Sequence, residues 1–492
     1  LHLINRLRDA RKRGARLVVV DPKRIRIADE ADLHLGLMPG TDVVLAYAVA
    51  AELKRIGGLD RAFIEQHVHG AEAFLAEAEH YSIKRAARIC GLAEDDIRSF
   101  ARFWRDCSPA AISVGVAPER NRNGGSGLRA CFALPALTGN FGRPGAGVCD
   151  VSGYFPVNAE KLSRPDLLTG EVREFNTLDL ADHILDPGEE LPLKAVFIYN
   201  HNPLAVTPQQ GKLRAALGSD DLFVVGADIT MTDSMACADV ILPAASHLEI
   251  GDLYKSYGHQ YLQRSEPVLP AQGQSLSNTD TFRLLAQRFG FEEACFRDTD
   301  AQLMDQAIDA DALGPDVERA SALPVGTALD MAVSSPVSLL RGASATTPSG
   351  KIELYSEVLE QQSGMGLPQY QPLQRDRAFV LVTPASEKRT NSTFGGVSGH
   401  DSDLVVEMCS ADAASRQLQD GQLVSVVNKQ GSIELPLLIS DRIRSGTIYV
   451  PKGAWMRDSA TGLTANALIP GHKADLAGGA CYYDCTVDVE PV

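Results

Sequence analysis

RGARLVVVDPKR, from Arg13 to Arg24, places three consecutive valines after a basic segment and ends the apolar run at Asp21. An uncharged run of this kind predicts a strand that is buried on both faces of a parallel sheet. The loop after such a strand lies at the carboxyl edge of the sheet, where α/β proteins bind their ligands. The segment from Asp21 through Pro22 to Arg24 is therefore expected to face a ligand.

A second motif, PGTD, follows at Pro39 to Asp42. It predicts a helix with Thr41 as its N-cap and Asp42 in its first turn. The N–H groups at a helix start can receive phosphate, and a carboxylate can accept two hydrogen bonds from the N1–H and N2 edge of guanine, which adenine does not offer. The motif therefore suits a guanine nucleotide, whereas the alternative interpretation is an ordinary proline turn and capped helix.

Length and charge limit the classes of protein to consider. The 492 residues exceed what one hydrophobic core usually supports, so about two to four domains are expected. The net charge of −16 argues against nucleic acid as a partner, although local groups could still hold a buried anionic cofactor. The longest apolar runs fall short of the roughly 18 residues that span a bilayer, so no membrane span is expected.

The nine cysteines are scattered and include no Cys-x-x-Cys pair, so they offer no ligand set for a metal or cluster. They are typical of buried free thiols in a reducing compartment, which predicts a cytoplasmic protein. The chain starts at Leu1, without Met, directly in an amphipathic helix pattern. We interpret it as a fragment, and a periplasmic location stays open.

Strand and helix patterns alternate along most of the chain. They include the apolar run before Asp21, the segments KAVFIYN and LFVVGAD, and a helix that ends at Gly290. This alternation predicts α/β domains with doubly wound parallel sheets. From Ala378 onward the apolar runs are short and bounded by turn residues, which predicts a C-terminal β-barrel. The expected domains are residues 1–155, 156–375 and 376–492.

Seven segments in this order resemble the molybdopterin oxidoreductase superfamily of the dimethyl sulfoxide reductase type. They are RGARLVVVDPKR, ADLHLGLMPGTD, NGGSGLRACFALPALTGNFGRPGAGV, YNHNPL, VVGADITMTDSMACADVILPAASHLE, TPSGKIELYS, and a final domain containing DAASRQLQDGQLVSVVNKQGSIELPL and TANALIPG. The resemblance implies a barrel of the double-psi type and a bis-molybdopterin guanine dinucleotide cofactor with molybdenum or tungsten.

The resemblance also implies which residues bind the cofactor. One guanine dinucleotide would be held by Asp21, Arg24, Gly40 and Asp42, with Pro22 in the same loop. The residues that would hold the other, or shape its pocket, are Asn200, Asn202, Pro203, Asp228, Thr232 and Asp239. The pterins would be contacted by the loop Thr390, Asn391, Ser392, Thr393, and Asn466 and Tyr483 lie where C-terminal contacts to the cofactor are expected. Taken singly, Asp228 could instead cap a strand end, Asn202 could be a turn residue, and Asn466 and Tyr483 could be turn and core positions.

In this superfamily the metal ligand, and in many members an iron–sulfur segment, precede the motif at which this chain begins. The resemblance therefore implies that the metal ligand and a [4Fe-4S] cluster would belong to a segment before Leu1. The chain alone is expected to be catalytically incomplete. The expected partners are a small-molecule substrate and an iron–sulfur or other electron-transfer subunit.

Several further polar residues are candidates to face a substrate. Arg120, Arg122 and Asn123 follow a predicted strand, although such arginines are often only solvated. Proton donors near neutral pH could be histidines, although single histidines are more often structural; the candidates are His201, His247 and His259. Formate dehydrogenases of the superfamily place an arginine where this chain has Ser152, which argues against formate as the substrate.

The sequence favours a molybdenum or tungsten oxidoreductase that acts by two-electron or oxygen-atom transfer. One alternative is a non-redox hydratase or hydroxyl transferase that uses the metal as a Lewis acid. Another is a structural subunit of a redox complex without catalytic activity. The nucleotide-contacting polar residues argue against the structural subunit, because a scaffold has no need of them.

Overall fold

A computed structural model describes residues 2–149, 156–188, 191–255, 259–331, 338–340, 342–386, 388–395 and 404–492. Contacts divide the chain into two compact units. The first consists of Leu1–Cys149, Leu204–Leu213 and Ser338–Val492, and the second of Asp150–Pro203 and Arg214–Val337. The division into three consecutive domains stays a prediction, since these units follow contacts rather than chain order.

The helical part of the first unit is built around the helix Asp42–Arg55, whose apolar residues are buried almost without interruption. A helix that is apolar on all sides must be covered on all sides. The helices packed on it include Ala71–Glu79, Glu94–Asp106 and Gly124–Leu137. The other helices of this unit are His2–Lys12, Arg61–His67, Ile83–Cys90, Glu357–Ser363 and Ser410–Ser415, with 3-10 turns at Arg26–Glu30, Pro118–Arg120, Met456–Asp458 and Ala465–Ala467.

Short parallel strand pairs accompany these helices. Val18–Val20 pairs with Leu33–Leu35, so the predicted first strand is present and its sheet is parallel. The prediction that this strand is buried on both faces is wrong, because Val20 is 39% exposed and lines a cavity. The remaining parallel pairs are Ala111–Ser113 with Gly147–Cys149, Val68–His69 with Ile352–Glu353, and Ser338–Leu339 with Gly342–Ala343.

The C-terminal part of the first unit is a closed six-stranded barrel, which confirms the predicted β-barrel. Its strands in order are Phe379–Val382, Thr447–Tyr449, Val406–Met408, Gly431–Ile439, Leu423–Asn428 and Thr486–Pro491. Parallel and antiparallel neighbours alternate irregularly, since the first and third pairs are parallel and the others antiparallel. The inward side chains, including Leu381, Val426 and Val487, form a separate core.

The second unit contains a three-stranded parallel sheet, as the α/β alternation predicts. Its strands, in sheet order, are Ala195–Tyr199, Phe223–Asp228 and Val240–Pro243. An antiparallel sheet is formed by Leu253–Tyr254, Tyr261–Arg264 and Leu329–Asp330. Helices cover Ala159–Ser163, Leu180–Leu185, Asn278–Phe289 and Asp300–Ala307, with 3-10 turns at Pro165–Leu167, Thr177–Asp179, Met235–Cys237, Ala294–Arg297, Ala310–Ala312 and Ala320–Ala322.

Two further helices, Pro203–Val206 and Gln210–Leu217, include residues of both units. The helix Asn278–Phe289 ends at Gly290 with a φ of 78°, as its sequence predicts. The predicted fold class, α/β with parallel sheets followed by a β-barrel, is therefore confirmed. Within the described residues, no helix combines the length and the apolar character that a membrane crossing requires.

Candidate cofactor-binding sites

A cavity of about 440 Å³ in the first unit opens at the carboxyl end of the strand Val18–Val20. It brings together the residues that the sequence analysis placed at one guanine dinucleotide, namely Asp21, Pro22, Arg24, Gly40 and Asp42. Tyr483, an expected C-terminal contact to the cofactor, also lines it. A strand end, a helix start and the last part of the barrel thus contribute to one site, as expected for a ligand at a sheet edge.

The loop after the first strand is held in a defined shape. The Asp21 carboxylate accepts a hydrogen bond from the Lys23 backbone N–H at 2.8 Å, and the Asp21 carbonyl accepts one from His34 Nε2 at 2.9 Å. The Lys23 ammonium forms an ion pair with Glu407 on the barrel strand Val406–Met408. The loop is therefore fixed both to its own sheet and to the barrel.

Arg24 is exposed and its charge is already neutralised. Its Nε donates to Asp29 at 2.9 Å, and Asp29 also accepts a hydrogen bond from Arg442 at 2.7 Å. The Arg24 backbone N–H donates to the Arg442 carbonyl at 2.7 Å. Because both arginines share one carboxylate, they retain hydrogen-bonding capacity at the rim of the cavity.

The PGTD turn places Asp42 at the start of its helix. Gly40 adopts a φ of 79°, and a Cβ there would lie 3.4 Å from Asn121 Oδ1. Thr41 lies at the N-cap position and Asp42 in the first turn, as predicted, but the Thr41 hydroxyl donates to the Met38 carbonyl at 2.7 Å and accepts no helix N–H. The N–H groups of the first turn that have no partner in the helix are thus left to water or a ligand.

Asp21 and Asp42 have no basic partner at hydrogen-bonding distance among the described residues. Burial raises the pKa of Asp42 to about 6, and the nearby charge of Asp21 adds to this. Burial also raises the pKa of Asp21, against the Lys23 N–H and the charges of His34 and Lys23. Partly buried acceptors without a cation fit the two N–H donors of guanine, which would favour the ionised carboxylate.

Sequence reasoning missed three barrel residues of this cavity. Glu407, Tyr449 and Val382 line it, and the Lys23 ammonium lies 5.4 Å from the centroid of the Tyr449 ring. These residues lie more than three hundred positions after the loop that they meet. A glutamate in an otherwise apolar strand was a local signal, but it did not indicate its partner.

Two of the residues predicted to face substrate serve the structure instead. The Asn123 side chain donates to the carbonyls of Gly40 and Gln371 and accepts from the Gln371 N–H at 2.7 Å. Arg122 forms an ion pair at 3.0 Å with Asp484, which is buried. Asn123 thus clamps the PGTD turn, and Arg122 is engaged by the barrel.

A second cavity, of about 670 Å³, lies at the carboxyl edge of the parallel sheet in the second unit. Asn200 and Asp228 both line it, together with His247. The Asn200 side chain accepts from Asn278 at 2.9 Å, and that of Asp228 accepts from the Ile229 N–H at 2.7 Å. Burial raises the pKa of Asp228, against the N–H groups that follow it. The two strand-end residues therefore meet as predicted.

The other predicted residues of the second unit lie outside the lining of this cavity. Asn202 is buried and accepts from Ser234 at 2.7 Å, while its Nδ2 is buried without a hydrogen-bond partner among the described residues. Pro203 begins a short helix, and Thr232 accepts from the Met235 N–H. Asp239 accepts from the Val224 N–H at 2.7 Å, which places it at the amino edge, away from Asp228.

The polar loop Thr390, Asn391, Ser392, Thr393 forms a closed turn. The Thr393 hydroxyl donates to the Thr390 carbonyl at 2.7 Å, and Trp455 Nε1 donates to the Ser392 carbonyl at 2.8 Å. Asn391 has a φ of 50°. The loop does not line the first cavity.

The predicted C-terminal contacts lie in the first unit. Asn466 donates to the Ala205 carbonyl at 2.8 Å, and its Oδ1 is buried without a partner in the described part of the chain. The Tyr483 hydroxyl donates to the Thr383 carbonyl at 3.4 Å. The buried hydroxyl oxygen of Thr383 is likewise without a partner there. Such atoms are uncommon in proteins, and a water molecule or a polar ligand can satisfy them.

The candidate histidines are dispersed. His247 lines the second cavity, burial lowers the pKa of His201, and His259 accepts from the Tyr261 N–H at 3.1 Å. Ser152 lies outside the described residues. Among the residues that are described, no cluster of three His, Cys, Asp or Glu side chains could hold a metal ion.

Comparison with known proteins shows what these cavities belong to. The family model for molybdopterin oxidoreductases matches residues 1–288. The chain belongs to the molybdopterin oxidoreductase family. The model for the molybdopterin dinucleotide-binding domain matches residues 379–486, which cover most of the barrel. The predicted family is thus confirmed, as is the cofactor, bis-molybdopterin guanine dinucleotide with molybdenum or tungsten.

Relatives in this family include named oxidoreductases and a hydratase. A probable oxidoreductase of Bacillus subtilis, YoaE, is 33% identical over all of this chain and 73% of its own length. Acetylene hydratase of Syntrophotalea acetylenica is 26% identical over 93% of the chain and 69% of its own length. The solved structure of acetylene hydratase from Pelobacter acetylenicus covers 99% of this chain and 75% of its own, with a TM-score of 0.80 and 22% identity.

Proposed function

We propose that this protein catalyses two-electron or oxygen-atom transfer on a small molecule at a molybdenum or tungsten bis-molybdopterin guanine dinucleotide. The observation that carries the proposal is that Asp21 and Asp42 line one cavity and that no described residue places a basic group at hydrogen-bonding distance from either. A buried carboxylate is destabilised unless donors reach it, and the edge of guanine supplies two. The family-wide cofactor thus has a matching receptor in this chain.

In the first cavity, Asp42 would accept the guanine N1–H and N2 hydrogen bonds, with Asp21 beside it. The positive φ of Gly40 exposes the N–H groups that follow it, and the Asn123 side chain holds this turn. Pro22 and Arg24 would form the rim, and the Tyr483 ring would close the opposite wall. Each of these roles is binding or orientation.

The second dinucleotide would be held at the carboxyl edge of the second unit's sheet. Asn200 and Asp228 line that cavity, and the unpartnered amide N–H of Asn202 would serve the same ligand. Thr232 and Pro203 would shape the adjoining turns. Asp239 would support the opposite edge of the sheet through its bond to the Val224 N–H.

The pterin part of the cofactor would be contacted by the loop Thr390, Asn391, Ser392, Thr393 and by Asn466, whose buried Oδ1 lacks a partner among the described residues. When bound, the cofactor supplies the electron-transfer chemistry at its metal, while the protein supplies binding, orientation and electrostatics. An iron–sulfur or other electron-transfer subunit would be the redox partner.

The test is the cofactor content and dye-linked activity of full-length protein from cells supplied with molybdate or tungstate. About two guanine nucleotides per metal are expected after acid hydrolysis, together with reduction or oxidation of viologen dyes by a suitable substrate. Metal-loaded protein without guanine nucleotide would contradict the proposal.

A second candidate function is hydration or hydroxyl transfer, which the acetylene hydratase relative favours. The two functions differ in whether electrons leave the substrate. Turnover of a substrate by cofactor-loaded protein without any dye or electron carrier would support the hydratase.

Formate is a further substrate to test, because formate dehydrogenase H of Escherichia coli is 24% identical over all of this chain. Ser152 predicts that formate oxidation is slow.

A further inference from the structure

Arg120 and Lys452 are two neighbouring cations of the first unit, and neither has an acidic partner among the residues that the structure describes. The Arg120 Nε is buried and forms no hydrogen bond within the described residues, and the guanidinium lies 4.7 Å from the centroid of the Tyr482 ring. The Lys452 ammonium likewise forms no hydrogen bond or ion pair with any described residue. Burial, with the positive charge of Arg120, lowers the pKa of Lys452 to about 8.

This pair differs from three other cations near the cavity. Lys23 is paired with Glu407, Arg24 with Asp29, which also binds Arg442, and Arg122 with Asp484. Each of these three has a carboxylate partner, whereas Arg120 and Lys452 have none among the described residues. Two like charges with partial burial destabilise each other unless an anion joins them.

Both residues are hydrogen-bonded through their backbones to residues that line the guanine cavity. The Tyr483 N–H donates to the Arg120 carbonyl at 2.7 Å, and the Lys452 N–H donates to the Pro384 carbonyl at 3.0 Å. Tyr483 and Pro384 both line the cavity, as does Asn121, the residue after Arg120. An anion bound by both cations would thus lie beside a guanine bound at Asp42.

We propose that Arg120 and Lys452 bind the diphosphate of the guanine dinucleotide whose base is held at Asp42. The assignment rests on the proposed function, since it takes the first cavity as a guanine site. The chemistry recognised is a phosphate-type oxyanion with more than one negative charge, which a guanidinium and an ammonium bind together. Free diphosphate carries the same chemistry, so the test must separate the two sources.

The experiment measures binding of guanosine, guanosine diphosphate and inorganic diphosphate to full-length apoprotein by calorimetry. Wild-type protein should bind guanosine diphosphate more tightly than guanosine. Lys452→Gln and Arg120→Gln should each lower the affinity for guanosine diphosphate roughly tenfold, which corresponds to the loss of one charge-assisted hydrogen bond. The affinity for guanosine should not change. Arg120→Lys should retain part of the affinity. Lys429→Gln, at an exposed lysine of the barrel, is the matched control. It should change neither the affinity for guanosine diphosphate nor the affinity for guanosine.

An unchanged ratio of the two affinities in Lys452→Gln and Arg120→Gln would overturn the proposal. Inorganic diphosphate that binds as tightly as guanosine diphosphate, without competition between them, would also overturn it in favour of a free-anion site. Failure of the proposed function looks different. Guanosine would then not bind, and Asp42→Asn would change nothing. In that case, anion binding by Arg120 and Lys452 would still be tested by measuring whether Lys452→Gln lowers the affinity for inorganic diphosphate.

The pH dependence of binding distinguishes a lysine that contacts the ligand from one with a purely structural role. Lys452 faces the permanent charge of Arg120, and Arg120 in turn faces Tyr482 and Tyr483. Between about pH 7 and about pH 9, wild-type affinity for guanosine diphosphate relative to guanosine should fall as Lys452 loses its proton. Lys452→Gln should abolish this fall. A flat wild-type ratio would contradict the assignment.

Discussion

Lys23 and Glu407 lie 384 positions apart in the chain and form an ion pair in the wall of the first cavity. Their side chains are 26% and 11% exposed, so water screens the pair only partly. The contact joins the loop after the first strand to a barrel strand, and this loop carries Asp21. The ion pair therefore couples the geometry of the guanine site to the barrel.

Replacing one member of this ion pair should lower the free energy of unfolding more than replacing both members. Glu407→Gln leaves a partly buried ammonium without its partner, so the free energy of unfolding should fall by about 1–3 kcal/mol. Lys23→Met with Glu407→Gln should recover about 1 kcal/mol or more of that loss. Urea unfolding of the apoprotein measures both. The exposed pair Lys54 and Glu79 is the control, and Glu79→Gln should cost about 1 kcal/mol or less. Equal losses in the two pairs would contradict the coupling.

Arg122 should behave as a structural residue. Its guanidinium contacts both carboxylate oxygens of Asp484, whose side chain is 3% exposed. Arg122→Met should therefore lower the free energy of unfolding by about 3 kcal/mol, because a buried carboxylate loses its cation. Cofactor-loaded Arg122→Met should retain the wild-type KM for its substrate. A raised KM at unchanged stability would show instead that Arg122 contacts substrate.

Asp42 should destabilise the apoprotein above about pH 6. Burial raises its pKa to about 6 from an ordinary value of 3.8, so between these values the native state binds more protons than the unfolded state. The free energy of unfolding from this group therefore falls as pH rises through that interval and is level above it. Asp42→Asn removes the penalty and should stabilise the apoprotein at pH 7 by about 1–3 kcal/mol.

The measurement is urea unfolding of apoprotein at several pH values between about 4 and about 7. Asp311→Asn, at an exposed carboxylate of the second unit, is the control and should follow wild type. A destabilised Asp42→Asn apoprotein would show that the carboxylate serves the helix start rather than a ligand.

Local patterns explain what could be predicted from the sequence. The start of the helix Asp42–Arg55 was predicted because its turn and acidic first residue are read within one segment. Asp21 and Asp42 were predicted as ligand residues from a strand end and a helix start, and they share one cavity. Asn200 and Asp228 were predicted from the family resemblance, and they share the other cavity.

The other features of the candidate site depend on contacts between residues that are far apart in the sequence, which a local pattern does not indicate. Glu407 reaches the first cavity because its barrel strand packs against the loop after the first strand. Val20 is exposed because it is the last residue of its strand and lines the cavity. Asp239 precedes the strand Val240–Pro243, so it lies at the amino edge, whereas residues that follow strands lie at the ligand edge.

The most direct test of the account is the guanine nucleotide content per metal of full-length Asp42→Asn protein, compared with wild type and with Asp311→Asn. An asparagine at this position presents N–H donors to the donors of guanine, so affinity should fall roughly tenfold to hundredfold. We predict about two guanine nucleotides per metal in wild type and in the control, and a clear loss of pterin and metal in Asp42→Asn. Wild-type content in Asp42→Asn would contradict the assignment of the first cavity to guanine.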